Sequence, residues 1–417
     1  MEDKKTNETD VNYTKFACGI FIVRADNANF NADFSGMPRE LPDGRIYSTD
    51  KALKYCIRKY LHEVTGENVF VWRRYNADGN PFTLQENMAR SDLKGSNPLE
   101  KALNNIDIRL FGATLAIGKE KQKTEDSDVE PETNEVDTEE SETDINSLSY
   151  SSAVTLELLK DNWGDFFDNT EFEKILSAII SKEKKVKISS KDGDDYEIKI
   201  AKTKLTPKKL EIKNKKNFSI TGPCQITYGI NAFENKSQPY PSQIQSAYAS
   251  KRGDSQTTLG LQHRADEVHY VFDFTINPNN LQEDGPINAI LKNNAKNYYL
   301  KEKDVIKFIE SMRYGVNYVT STTKTGAIGE FLLFVEFERK NSVTGPIPVP
   351  FVPILQTKVK ITKPNSDGTS KRTIDIQGVL EVLKKFEENY TITKKIYCAK
   401  DFVELDSIPE KDILEIY

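Results

Sequence analysis

At 417 residues the chain is longer than one ordinary compact domain and implies two or three units, or one unit with large insertions. Hydrophobic residues at 37% and charged residues at 29% permit a core under a heavily solvated surface, and 21 Gly with 17 Pro exclude a collagen-like or mainly disordered chain. No stretch reaches the ~18–20 uncharged apolar residues of a membrane span, and four dispersed cysteines with three histidines make no zinc framework, so a reduced, cytoplasmic protein without cofactor is expected. The polar start MEDKKTNETD has no apolar stretch of the signal-peptide kind.

CGIFIVRA (18–25) reads as a short buried strand and runs into a long Asn/Asp/Gly/Pro loop (25–44). STDKALKYCIRKYLHEVTG then carries helix signals: a Ser/Thr cap at Thr49, an acid in the first turn and Gly66 as a stop. Strands are predicted at NVFVWRRY (68–75) and DIRLFGATLAIG (107–118). After a long interruption, FSITGPCQITYGINAF (218–233) resumes strand character and EVHYVFDFTINP (267–278) alternates. KEKDVIKFIESMRYG (301–315) is an amphipathic helix and GEFLLFVEFE (329–338) an apolar strand. The C-terminal 80 residues add TKVKIT, a helix around 374–388 and a strand IYCAKDFV.

Without the interruption the order is strand, helix, strands, a hairpin-like pair, helix, strand, which is the split β-α-β order of ferredoxin-like and RNA-recognition folds. The interruption has two opposite halves. Residues 119–147 hold 12 Asp/Glu against three Lys, a local charge of −9, so the total of −6 conceals +3 on the rest of the chain. Such a run cannot bury enough apolar surface to offset its ordering entropy, and a disordered acidic loop is expected. Residues 182–217 hold 13 Lys against six Asp/Glu, and YEIKIAK and KLEIKN suggest a Lys-rich β-hairpin in an inserted subdomain.

On the helix after Thr49, Leu53, Ile57, Tyr60, Leu61 and Val64 recur at helical spacing and make one buried face. Lys51, Lys54 and Arg58 line a second face, a row of cations suited to a phosphate backbone or, equally, to solvent. The loop before it offers Asn27, Asn29, Asn31 and Ser35 with Phe30 and Phe34 between them. Amides can meet base edges or sugar hydroxyls and aromatics can stack on bases, although Asn also serves turns. No phosphate loop, metalloprotease motif or nucleophile elbow is present; His263 and His269 read as structural or surface residues, and Asp33 and Asp107 as isolated acids.

Five blocks in order resemble the CRISPR-associated "Cas-seven" family, the backbone of type I Cascade complexes, in its I-B-like branch. They are NANFNAD with its downstream Pro38-Arg39, STDKALKYCIRKYL, DIRLFGATLA, ITGPCQITYG and TSTTKTGAIGEFLL. Ala32 stands where the family often has Gly, and Cys224 where it usually has Val. The resemblance implies an α+β fold: a modified ferredoxin-like, RNA-recognition (RRM) palm with a thumb loop, finger-like insertions and an α+β C-terminal extension. It divides the chain into a first palm part (1–118), an acidic linker (119–150), a Lys-rich subdomain (151–217), a second palm part (218–341) with the thumb at 234–262, and an extension (342–417).

It also implies a non-catalytic subunit that polymerises head to tail along crRNA and holds the spacer for pairing with target DNA, beside other Cascade subunits and away from membranes. Carried over by position, Asn27, Asn29, Asn31 and Arg39 from the loop, Thr49, Lys54 and Arg58 from the helix and Gln225 from the Gly-Pro strand face the RNA. Lys51 belongs to the same cationic row, and Lys251 and Arg252 are the cations of the thumb. Two alternatives stay open: a guide-directed ribonuclease of the type III kind that uses Asp33, and a ferredoxin-like adaptor whose basic face binds an acidic protein.

Overall fold

The computed structural model describes residues 11–95, 97–116, 144–150, 159, 167–181, 185–189, 191, 195–200, 208–213, 217–234, 237–245, 259–281, 286–340, 355–363, 371–406 and 408–417. The acidic run up to residue 143 and both Lys251 and Arg252 lie outside these residues. The chain divides into two compact units: one of residues 1–73, 91–113 and 220–417, the other of residues 74–90 and 114–219.

In chain order the first half holds β1 (Phe16–Ala28), β2 (Tyr47–Ser48), α1 (Asp50–Glu63), α2 (Leu84–Met88), α3 (Pro98–Leu103), α4 (Ile106–Phe111) and β3 (Gly112–Ala116). Next come β4 (Asp144–Tyr150), α5 (Asn169–Ile180), β5 (Lys185–Ser189), β6 (Asp195–Ile200), β7 (Lys208–Lys213) and β8 (Asn217–Thr221). They are followed by β9 (Cys224–Ile226), β10 (Gly229–Asn231), β11 (Pro239–Gln245), β12 (Leu259–Ile276), α6 (Pro286–Leu291), α7 (Glu302–Tyr318) and β13 (Ala327–Arg339). The chain closes with β14 (Lys360–Thr362), β15 (Arg372–Asp375), α8 (Gln377–Lys384), β16 (Tyr390–Cys398), β17 (Val403–Asp406) and β18 (Ile413–Glu415).

The larger unit is built on a sheet of order β18-β16-β13-β1-β12-β10-β2, with β9 and β11 also paired to the long β12. β1 runs antiparallel to both β12 and β13. Each helix-linked pair, β1 with β9 and β12 with β13, is thus separated by a strand of the other pair, the interleaving of two split β-α-β units.

The continuous apolar run of β1 exists because both faces of the sheet are covered. Cys18, Ile20 and Ile22 point to one face, where Val271, Leu333 and Val335 join Val359, Ile361, Ile374, Val379 and Leu383 of the C-terminal elements in one core. Toward the other face, Phe274 packs its ring against Phe308 of α7 at 5.8 Å and Phe334 at 6.2 Å, and α1 packs against α7. The smaller unit has a four-stranded antiparallel sheet, β4-β7-β6-β5, with α5 against β5 through a side that includes buried Phe172 and Ile175. It is larger than a hairpin, and residues 144–150, read from sequence as linker, form one of its strands.

Several elements differ from expectation. Residues 107–111 are helical, not extended: α4 ends at Gly112, whose φ of 73° lets the chain turn into the short β3. Residues 68–74 form no strand; the N–H groups of Phe70 and Val71 donate to the carboxylate of Asp107 (2.8 and 3.0 Å) instead of to a ladder. Val64 is the C-terminal cap of α1: its N–H still bonds to the Tyr60 carbonyl (2.9 Å), but the residue is 47% exposed and does not complete the buried face. The C-terminal helix is shorter than read, because residues 372–375 pair as a strand, and residues 396–403 span the end of β16, a turn and the first residue of β17.

The larger unit also contains one very close backbone approach. A Cβ on Gly112 would lie 2.0 Å from the Ile220 carbonyl oxygen, and one on Gly222 would lie 2.2 Å from the carbonyl carbon of Phe111. The chain leaves this unit after residue 113 and returns at residue 220, so exit and return are pressed backbone to backbone at two glycines.

Candidate nucleic-acid interface

Where β1 ends, the chain enters a loop that its own polar side chains hold in shape. Asn27 adopts a left-handed φ of 45°, which Asn tolerates better than most residues. Its Oδ1 accepts from the Tyr240 hydroxyl (2.9 Å) and its carbonyl from Arg264 (3.0 Å). Asn29 is buried, and its amide donates to the carbonyls of Gly36 (3.0 Å) and His263 (3.1 Å). Asn31 Oδ1 accepts both the N–H (2.8 Å) and the hydroxyl (2.9 Å) of Thr49, which ties the loop to the start of α1. The Thr49 hydroxyl therefore serves Asn31 and makes no capping bond to its own helix.

The loop tip turns about Asp33. Its Oδ1 accepts the N–H (2.8 Å) and hydroxyl (2.7 Å) of Ser35 and the N–H of Met37 (2.9 Å). The Ser35 hydroxyl first, with those backbone amides and the nearby Arg39 charge, holds the carboxyl below its usual range. Phe30 is buried against Tyr270 and Phe272, whereas Phe34 is fully exposed. Arg39 is partly buried, and its Nε makes no hydrogen bond.

A second loop, 320–326, is sewn to the first. The Thr323 carbonyl accepts from the Asn29 N–H (2.7 Å), the Gly326 carbonyl from the Asp26 N–H (2.9 Å) and the Thr322 carbonyl from Arg264 (3.0 Å). This geometry suspends the Lys324 ammonium 5.4 Å from the ring centres of both Phe30 and Tyr55. Tyr55, half-exposed on α1, stacks in turn on Trp72 at 5.8 Å with ring planes 7° apart. Among the described residues Lys324 has no carboxylate partner, so its charge is steadied by ring faces and remains available to an anion.

The structure thus brings Asn27, Asn29, Asn31, Arg39 and Thr49 together, with Lys51 exposed on the first turn of α1. The other expected cations go elsewhere. Lys54 pairs with Asp50 (2.9 Å) and Arg58 with the fully buried Asp107 (3.0 Å), and both lie 5.2 Å from the Phe111 ring centre. Their side chains are only 12% and 14% exposed, so of the three cations in the row Lys51 alone stays open, while Lys54 and Arg58 hold α1 against α4. Gln225 pairs with Thr275, ten residues along β12 from the Ala265 that faces Ala28, and so stands roughly 33 Å from the loop. Its amide donates to the Gly222 carbonyl (2.7 Å).

Residue-by-residue reading missed Lys324, Tyr55, Tyr240 and Arg264. Lys324 had one available signal, the Ser-Thr-Thr-Lys-Thr-Gly sequence, but a lone lysine in a polar turn has no pattern of its own. Among the described residues no cluster of three His, Cys, Asp or Glu could hold a metal ion, and no helix is long and apolar enough to cross a membrane.

The family model described as CRISPR-associated protein Cas7 matches residues 17–129 and 205–377, which include both loops, α1 and β12. No curated protein sequence is close enough to count as a match. One solved chain, from a "CRISPR RNA-guided surveillance complex, pre-nicking", is 12% identical with a TM-score of 0.39 over 96% of each chain. Another, from a "CRISPR RNA-guided surveillance complex", is 9% identical with a TM-score of 0.36 over 95% of this chain and 96% of that one. With the family model spanning well over half of its residues, the chain belongs to the CRISPR-associated Cas7 family.

Proposed function

We propose that this protein is a backbone subunit of a type I Cascade effector in CRISPR defence, one that holds crRNA along the face made by the 27–39 loop, the start of α1 and the 320–326 loop. In this reading the central sheet with α1 and α7 is a modified RNA-recognition palm, and the β11–β12 arm is the base of the thumb. Copies follow one another head to tail along a single guide, a heterologous contact that leads to a filament. Target DNA is selected by pairing with the guide, so the protein needs only sequence-blind contacts to phosphate and sugar.

The carrying observation is Lys324, a cation held in place by two rings where two loops and a helix meet. The C-terminal elements cover one sheet face and the helices the other, so bases have no open sheet on which to stack, and the grip falls to the strand ends and their loops. Lys51 and Arg39 are the further phosphate partners, while Lys54 and Arg58 keep α1 against α4. Asp33 acts as the cap of its turn and not as a catalyst, because three hydrogen bonds converge on one of its oxygens.

The test is retention of guide-length RNA by the full chain. Lys324→Ala weakens binding several-fold and flattens the log affinity against log salt slope by about 0.7, the share of one single-strand phosphate contact; Lys324→Arg keeps both. An unchanged slope would remove Lys324 from the interface. Incubated with complementary RNA and Mg2+, the wild-type complex releases no regularly spaced fragments; Asp33-dependent cuts would restore the ribonuclease reading.

A further inference from the structure

We propose that Phe34 is a stacking wedge: its ring lies against one nucleobase of the bound single-stranded guide. This rests on the reading of this face as the guide-binding surface and adds to it a contact with a base.

Two phenylalanines of one loop meet opposite fates. Phe30 is buried under Lys324, and Phe34, four residues on, has a relative exposure of 105%, the highest of any large apolar residue described. Leaving such a ring in water forfeits about 1.5–3 kcal/mol of burial. Yet the backbone that carries it is among the most firmly tied on this face. Besides the three bonds onto the Asp33 carboxylate, the Asp33 N–H donates to the Met37 carbonyl (2.8 Å), the Gly36 N–H donates to the Asp33 carbonyl (3.2 Å), and the Asn29 amide holds the Gly36 carbonyl from below. Ala32 and Pro38 close the loop with a bridge. The ring is therefore displayed on a fixed mount, and that lowers the entropy lost on contact.

The surroundings choose the occupant. Asn31, Asp33 and Ser35 flank the ring, so the tip offers one apolar side chain among polar ones. A protein partner needs a contiguous apolar patch of some hundreds of Å2, which a lone ring does not supply. A base needs only one π-face beside cations for its phosphate, and Arg39 and Lys324 are on the same pair of loops. Stacking is indifferent to base identity, as a guide of arbitrary sequence requires.

The experiment uses the full chain and guide-length RNAs carrying 2-aminopurine at successive positions. Wild-type protein changes the fluorescence at the stacked position. Phe34→Ala abolishes that change and weakens RNA binding about 5- to 150-fold, the range for one lost base stack, with the salt slope unaltered because no phosphate contact is lost. Phe34→Trp restores both signals and Phe34→Leu restores neither. Wild-type behaviour in Phe34→Ala would overturn the wedge while leaving the guide-binding face standing, provided Lys324→Ala still flattens the slope. Full rescue by Phe34→Leu would also overturn it, in favour of an apolar contact such as one with a second copy. Failure of the wild-type chain to retain RNA at all would overturn both readings.

Discussion

His269 has no exposed surface and stands between two acids, with Nδ1 2.5 Å from Glu330 Oε1 and Nε2 2.9 Å from Glu267 Oε1. Burial pulls an imidazole toward neutrality, but the Glu330 charge and the hydrogen bonds to both carboxylates prevail and push it up to about 9. Arg372 grips Glu267 through two nitrogens (2.6 and 2.9 Å), and Arg24 pairs with Asp26 (2.7 Å), so opposite charges interleave beneath the loop of the candidate interface. A folded pKa above the unfolded value of about 6.5 gives stability that is complete below pH 6.5 and lost as pH rises through 9. Thermal melts should therefore show a falling midpoint between pH 7 and 10. Glu330→Gln, which removes the largest source of the upward shift, moves that fall toward neutral pH. A wild-type midpoint that is level over this span would show that the imidazolium contributes nothing. The sequence marks His269 as a structural residue, but only Glu267, two residues back on the same strand, is a local partner; Glu330 comes from β13, 61 residues on, and no spacing announces it.

At the scale of elements, the apolar period of α1, the long β1 and β13 and the helix before β13 are legible because burial on fixed faces writes itself into residue spacing. The segment 106–111 misleads for the same reason. Ile106, Ile108, Leu110 and Phe111 are all buried in a six-residue helix, too short and too enclosed for any periodicity to show. Asp107, read as an isolated acid, receives Arg58 and two backbone N–H groups, so a residue that looked idle organises the start of α4. Half of the candidate interface was readable for a different reason: Asn27, Asn29 and Asn31 are loop-shaping residues, and a loop so rich in them is held rigidly whatever it binds. The cations were only partly readable: Lys54 pairs with Asp50 one turn back, but Arg58 is claimed by Asp107, 49 residues on, and Lys324 stands far along the chain from the helix. The glycine crossing gives the test at this scale. Gly112→Ala puts a methyl into the Ile220 carbonyl at a positive φ and should cost about 3–5 kcal/mol, read as a lower urea midpoint. A loss under 1 kcal/mol would show that the backbones separate easily.

For the whole molecule, charge is distributed unevenly enough to matter at a distance. Residues 119–142 alone carry a net −8, so deleting them turns a chain of −6 into one of +2. Negative charge on the same chain repels RNA over about a Debye length, roughly 10 Å at 0.1 M salt. The deletion should tighten binding to RNA of any sequence about tenfold near 50 mM salt, with both proteins converging above about 0.5 M. Filter binding across that range measures it, and equal affinities at low salt would mean that the acidic run acts only as a spacer.

The two glycines that press the excursion's ends together also make it replaceable. Its stumps already lie side by side in the larger unit, so a longer, shorter or foreign appendage can be spliced there without disturbing a single strand of the central sheet.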